Sequence, residues 1–312
     1  MKLVAGLSGS ADSGNVRRFV DLGIGEFFAG FVPKSWSDRW GFELSPNRRY
    51  REGNQVDRIE HLGELIDAAH AGACKFVVTF NEHYYSDVTW ASAAALVQQV
   101  VERGADALVF ASPAACKAVA KEHPGIDIHV SGDAGVANRA AVHFFHDLGA
   151  RRIIFPRHLS LDRIEKLAGE ATSLGMETEA FVMGEPCVFD GARCFSGHGY
   201  GTARDFCNAH SRIVVADLGS SNQRDLPRPK VAACGVSPRV MSLGRCGLCA
   251  IERLRAAKVG YLKVPGRATD ISHAIELVLT VMAGRATGPA LLQAPELCAS
   301  GEFCYYPPKQ DR

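Results

Sequence analysis

The stretch HLGELIDAAHAGACKFVVTF, residues 61–80, holds the repeating unit that organises the whole chain. Leu62, Leu65, Ile66 and Ala69 recur at helical spacing, with Glu64 and Asp67 on the opposite face. Gly72 suits the end of that helix. KFVVTF at 75–80 is then an unbroken apolar run of strand length. Helix, glycine, strand is the pattern of a βα unit, and a run without alternation fits a strand covered on both faces.

The same pattern extends outward in both directions. Strands are predicted at LVAGLS (3–8), EFFAGF (26–31), KFVVTF (75–80), ALVFAS (107–112), IHVSG (128–132), RIIFPR (152–157), TEAFVM (178–183) and YLKVPG (261–266). WASAAALVQQVVERG (90–104) and ANRAAVHFFHDLG (137–149) are amphipathic helices between them, and Gly104, Gly149 and Gly175 repeat the terminal glycine. Eight such strands predict an α/β fold, a (β/α)8 TIM-like barrel with room for irregularity. A doubly wound open sheet is the alternative. In a barrel, chemistry collects at the C-terminal strand ends. That rule brings Asn81, Ser112, Asp133, Arg157, Gly184 and Arg267 to one mouth.

Composition narrows the class. The chain has 312 residues, 47% apolar and 22% charged, which supports a large core in an ordinary globular protein. A formal net charge of +1 makes whole-molecule attraction to a polyanion weak, so RNA as a partner would need a local basic patch and is not supported by net charge. The opening MKLVAGLSGSADSG is too short in its apolar part for a signal peptide, and no run is long enough to span a membrane. The expected location is cytoplasmic. In a reducing compartment, ten cysteines favour metal ligation over a disulfide framework. Cys74 and Cys116 sit among apolar neighbours and are expected to be small buried hydrophobes; Cys298 and Cys304 lie in the tail without an assigned role.

The segment 184–248 breaks the βα repeat. It is far longer than the usual connection of about 2 to 6 residues, and it opens with GEPCVFDGARCFSGHGYG (184–201). Cys187 and Cys194 in that stretch, Cys207 beyond it, and Cys246 and Cys249 in CGLC form a soft-metal donor set. Only CGLC has the close spacing typical of zinc; the wider Cys187–Cys194 spacing leans toward iron–sulfur. The expected division is a barrel domain at 1–268, including the cysteine-bearing loop region 184–249, and a C-terminal helix and tail at 269–312.

The run EAFVMGEPCVFDGARCFSG (179–197) resembles the signature of the collagenase-like peptidases, the U-thirty-two peptidase family. The matching positions are Glu179, Phe181, Gly184, Cys187, Cys194, Ser196 and Gly197. GADALVF (104–110), SPAACKAVAKE (112–122), IHVSGDAGVANRAAVHFFHDLGARRIIFPRHLSLDRI (128–164) and CGLCAIERLRAAKVGYLKVPGR (246–267) are similar to further family segments. The resemblance implies a [4Fe–4S] cluster on Cys187, Cys194, Cys207 and Cys246, with Cys249 the alternative fourth ligand and zinc the alternative metal.

It also implies oxygen-independent hydroxylation of ubiquinone precursors or of RNA pyrimidines, with prephenate as the oxygen donor. A second family member is the implied partner if the chain works as one half of a heterodimer. A collagenase-like peptidase is the alternative activity, although the sequence has neither H-E-x-x-H nor G-x-S-x-G. The chain departs from the family pattern at Met183 (usually His), Glu185-Pro186 (usually small and apolar), Asp133 (commonly Gln) and His158 (commonly Glu). The accessory C-terminal region of longer members has no counterpart, leaving a helix at 270–284 and a short tail.

Candidate binding groups follow from charge and position. Arg48, Arg49 and Arg51 in SPNRRYREGN suit a carboxylate or phosphate, because guanidinium pairs such groups bidentately. Arg157, Lys263 and Arg267 stand at strand ends as clamps for an anionic donor. Asp133 and Asn138 follow the fifth strand, Asn138 doubling as a helix-start residue. Asn81, Glu82 and His83 follow the third, with His83 a proton-shuttle candidate or part of an exposed loop.

Overall fold

The computed structural model describes residues 1–41, 44–48, 53–184, 191–194, 214–217, 220–223, 245–266, 270–292, 298–299, 301 and 303–306. Eight parallel strands close on themselves: β1 (Lys2–Gly6), β2 (Glu26–Phe31), β3 (Lys75–Phe80), β4 (Ala107–Phe110), β5 (Asp127–Val130), β6 (Arg152–Ile154), β7 (Glu177–Phe181) and β8 (Tyr261–Val264). Each pairs with its sequence neighbour, and β1 pairs with both β2 and β8, so the eight close into a barrel, with the two-residue strand Gln55–Val56 added beside β2 at Gly30 and Phe31. The barrel is therefore the fold, and the open sheet is excluded. All eight strands fall where the apolar runs predict them. Most runs overshoot at the C-terminal end, where Ser112 caps a helix and Pro156 and Pro265 lack the donor a ladder needs.

The helices form the outer ring: α1 (Ser13–Leu22), α2 (Lys34–Trp40), α3 (Ile59–Ala71), α4 (Asp87–Glu102), α5 (Pro113–Glu122), α6 (Arg139–Asp147), α7 (Leu161–Ser173), α8 (Ile251–Ala256) and α9 (Ser272–Met282). α9 is no appendage. Its Ala274, Ile275, Val278 and Val281 are buried in the hydrophobic layer between sheet and helices that also holds Leu3, Phe27, Phe76 and Leu108. Gly104, Gly149 and Gly175 adopt the left-handed φ expected after a helix, but Gly72 does not: its φ is −93° and Ala73 takes the left-handed turn at 54°. Gly72 serves close packing instead, since a Cβ there would lie 2.7 Å from Val20. Cys74 and Cys116 are buried as expected, and burial pushes the Cys116 thiol up to about 12.

A second apolar cluster fills the barrel itself, from Val4, Phe28, Val77, Val109, Ile154 and Phe181. Below it lies a layer of charge. Arg152, fully buried, donates to both Glu26 oxygens at 2.6 and 2.9 Å, to Glu179 at 3.1 Å and to Glu177 at 3.0 Å. Lys263 donates to the other Glu179 oxygen at 2.6 Å. The Arg152 guanidinium also stacks 3.4 Å from the Tyr261 ring centroid.

These bonds tie β2, β6, β7 and β8 across the interior. Burial alone would raise Glu179, but Lys263 and Arg152 outweigh it and hold the carboxyl below the usual range. His129 is kept neutral by burial and by the neighbouring cations.

Removing one partner of such a network strands the others as buried charges, at a cost of about 3–5 kcal/mol. Arg152→Met should therefore lower the urea-unfolding free energy by roughly that amount, and adding Glu26→Gln should recover part of it. A loss under about 1 kcal/mol in the single variant would contradict the network's role.

Candidate functional site

At the C-terminal mouth, four loops converge. The loop after β2 brings Asn47 and Arg48, the loop after β3 brings Asn81 to His83, the loop after β5 brings Ser131 to Asp133, and Gly191–Cys194 comes from the long segment after β7. Asn47 anchors the first loop by donating to the Thr79 carbonyl at 2.5 Å and to its hydroxyl at 2.8 Å. Gly30 makes this possible, because a Cβ at that position would lie 2.5 Å from the Asn47 amide nitrogen. Asn81 then joins the loops: its oxygen accepts from the Arg48 amide at 3.3 Å and its nitrogen donates to Asp133 at 2.9 Å.

Arg48 is buried and spends its guanidinium inside the protein. One nitrogen donates to the Cys194 carbonyl at 2.8 Å and another to His83 Nδ1 at 3.2 Å. Arginine can only donate, so Nδ1 accepts and the His83 proton sits on Nε2. Nε2 then donates to the Asp133 carbonyl at 3.0 Å. Gly191 rests directly on Asp133, where a Cβ would come within 2.6 Å of the carboxylate. The cysteine loop is thus seated on the barrel mouth through Arg48 and Asp133. Beside it, burial pushes the Glu82 carboxyl up, against the opposing effect of its bond from the His83 amide.

A cavity of about 70 Å³, open to solvent, lies under this loop. Asn81, Ser131, Asp133, Arg157, Lys263 and Gly191 line its polar side, with Phe28 and Phe181 among the apolar residues. Arg157 stacks 4.2 Å from the Phe181 ring centroid, and the Lys263 ammonium sits 3.7 Å from that of Phe28. Two cations over aromatic faces at one cavity wall suit an anionic ligand with carboxylates.

The predicted residues divide. Asp133, Arg157 and Lys263 meet at the cavity, whereas Arg48 does not line it and instead supports Cys194. Asn138 is elsewhere: its side chain caps α6 by accepting from the Ala141 amide at 2.9 Å, the helix-start role. Cys187, Cys207, Arg49, Arg51 and Arg267 lie outside the described residues. Cys194 and Cys246 are both free thiols, and Cys246 pairs through its backbone with Met183 at the end of β7.

The layer of Arg152, Glu26, His129 and Glu179 escaped the sequence reading. Its signal was present as charged residues inside apolar strand runs. Glu26, His129 and Glu179 come within reach of one ion, but both carboxylates are occupied by Arg152 and Lys263, whose charges oppose a bound cation.

The geometry is that of a barrel with a polar cavity at its C-terminal mouth and a cysteine loop docked above it. Peptidase family U32 matches residues 41–283, and the chain belongs to that family. Similar proteins include tRNA hydroxylation protein P of Escherichia coli (strain K12), 34% identical over 162 residues, which cover 51% of this chain and 34% of that protein. The Haemophilus influenzae protein of the same name is 34% identical over 205 residues, covering 62% of this chain and 44% of its own. A 23S rRNA 5-hydroxycytidine synthase of Escherichia coli is 26% identical over 165 residues, covering 51% and 24%. The matched stretches span less than half the length of each of these relatives. No helix among the described residues is long and apolar enough to cross a membrane.

Arg48→Leu should free the Cys194 loop. Alkylation of Cys194, followed by peptide mass spectrometry, should then speed up roughly threefold or more, the effect of losing a hydrogen bond worth about 0.5–1.5 kcal/mol. An unchanged rate would show that the tether does not hold the loop.

Proposed function

We propose that this chain is an iron–sulfur hydroxylase acting on a pyrimidine base of RNA without molecular oxygen. One observation carries the reading: the cysteine loop is fastened by Arg48 directly over a cavity whose wall presents Arg157 and Lys263. The names of similar proteins, which refer to tRNA hydroxylation and rRNA hydroxycytidine, support the substrate class.

The donor set fits a [4Fe–4S] group in its chemistry. Cys194 and Cys246 are free thiols at the same mouth, and both belong to the set the family signature implies. Cys187, Cys194 and Cys207 would hold the group, with Cys246 or Cys249 completing it. When bound, it would supply redox chemistry and a soft Lewis-acidic iron.

The remaining residues bind and orient. Arg157 and Lys263 hold the carboxylates of the oxygen donor, prephenate being the one the family implies. Glu179 aims the Lys263 ammonium by its 2.6 Å bond, and the phenyl faces of Phe28 and Phe181 shield the wall from water. His83, with its proton on Nε2, and the half-buried Glu82 are titratable groups in the loop beside Asp133 of the cavity wall. A cytoplasmic location, where RNA and a carboxylate-bearing donor meet, suits this chemistry.

The test is expression in cells lacking their own RNA hydroxylation genes, followed by nucleoside mass spectrometry of tRNA and rRNA. A pyrimidine heavier by a single oxygen atom is expected. Arg157→Ala should lower its yield about 10- to 100-fold, as for loss of a charged hydrogen bond worth about 1.5–3 kcal/mol. Unmodified RNA from cells holding iron-loaded protein would contradict the proposal, as would peptide cleavage by the purified chain.

A further inference from the structure

Beside the cavity under the cysteine loop, the barrel mouth holds a second and larger space. It is a groove of about 450 Å³ between the loop after β1 and the start of α9. Gly266 lines both spaces, so a ligand reaching from one to the other crosses a residue without a side chain. Packing requires that bareness, because a Cβ at Gly266 would collide with the Ile271 side chain. The smaller cavity, at about 70 Å³, falls below the roughly 300–1,000 Å³ of a pocket that encloses one whole small-molecule ligand. It cannot take an oxygen donor and a complete nucleotide together. The rest of the nucleotide needs a neighbouring seat.

The groove is built from both sides. The Gly9 amide donates to the Gly53 carbonyl at 2.8 Å and draws the β1 loop against Gly53 and Asn54; a Cβ at Gly9 would collide with the Gln55 carbonyl. On the α1 side, Asp12 and Asn15 cap each other, each backbone amide donating to the other's side chain at 3.0 and 2.8 Å. That cap uses the Asn15 oxygen and leaves its NH2 group as a donor. Arg18, one turn further, donates to the Ser272 hydroxyl and lies 3.6 Å from the Asp270 carboxylate, which joins α1 to α9. The Ser8 and Ser10 hydroxyls stand 3.1 Å apart, so one proton bridges them and the other is left to donate.

The lining selects a ligand class. Leu7, Phe19 and Ile271 are buried and form an apolar floor. Above it stand serine hydroxyls, the amides of Asn15 and Asn54, and the Arg18–Asp270 pair, whose charges cancel. A sugar has the matching surface, an apolar C–H face edged by hydroxyls that donate and accept. A phosphate would meet Asp270 as well as Arg18. We propose that this groove seats the ribose of the target nucleotide, its 2′-hydroxyl bonded to the polar rim, while the base reaches past Gly266 toward Arg157 and Lys263. The assignment rests on the RNA-hydroxylase reading. The 2′-hydroxyl is what distinguishes RNA from DNA at one position, so the groove makes the enzyme selective for ribose.

The experiment uses intact, iron-loaded protein and the RNA fragment carrying the pyrimidine modified in cells. Wild type is compared on that fragment and on the same fragment with deoxyribose at the target nucleotide alone. kcat/KM should fall roughly 10-fold on the second, as rim groups lose their partner. Asn54→Ala should raise KM for the RNA about 3- to 10-fold with kcat kept, the mark of lost ground-state binding. Ser10→Trp, at an exposed rim position, should fill the groove and abolish turnover of the fragment. Calorimetry with prephenate should show unchanged donor affinity in both variants, which also reports an intact barrel.

Equal kcat/KM on the two fragments, or undiminished turnover by Ser10→Trp, would overturn the ribose assignment and leave the hydroxylase reading standing. Donor affinity lost in both variants would overturn it by giving the groove to the oxygen donor. Wild type that modifies no RNA would sink the hydroxylase reading and this assignment with it.

Discussion

The fold depends on one guanidinium. Arg152 has no exposed surface, and its charge is met by Glu26 from β2 and by Glu177 and Glu179 from β7, with Lys263 of β8 completing the balance through Glu179. A buried ion group of this kind contributes little net stability over an apolar core, because desolvation consumes much of the attraction. It does constrain geometry. A slip of one residue in any of these strands would turn its charged side chain out of the barrel and leave the rest uncompensated. The same constraint reaches the mouth, since the Glu179 carboxylate that receives Arg152 also aims Lys263 at the cavity.

The mouth is assembled by side chains that spend their polarity on each other. Asn47, Asn81, Arg48 and His83 bind neighbouring loops before any ligand arrives, so the cavity wall and the seat of the cysteine loop are preformed. Arg48 illustrates the consequence. Its residue type and its place after a strand suggest an anion clamp, yet burial and two internal acceptors make it a support for Cys194. Arg157 and Lys263, which keep a face on the cavity, are the cations that can meet a ligand.

Much of the architecture was legible because apolar runs and terminal glycines are local signals. The closure of β1 on β8 follows from strand number, and each strand appears within a few residues of its predicted place. The interior charge layer was not legible. Inward Glu26, Arg152, Glu179 and Lys263 each occupy one position in a run that otherwise reads as buried, and their pairing exists only after closure. Asn138 was ambiguous for a related reason, because the same amide serves a ligand or a helix end. The tail cysteines carried no local signal either: Cys304 meets Cys246, 58 positions earlier in the sequence, only through a backbone bridge that the fold creates.

The proposed four-iron group under a thiol loop on this barrel is open to spectroscopy without reference to any substrate. Electron paramagnetic resonance should be recorded on anaerobically prepared, dithionite-reduced protein, with iron and acid-labile sulfide measured on the same sample. The expected result is the signal of a reduced cubane cluster, with about four irons and about four sulfides per chain. A silent spectrum from protein that holds neither iron nor sulfide after anaerobic reconstitution would contradict it.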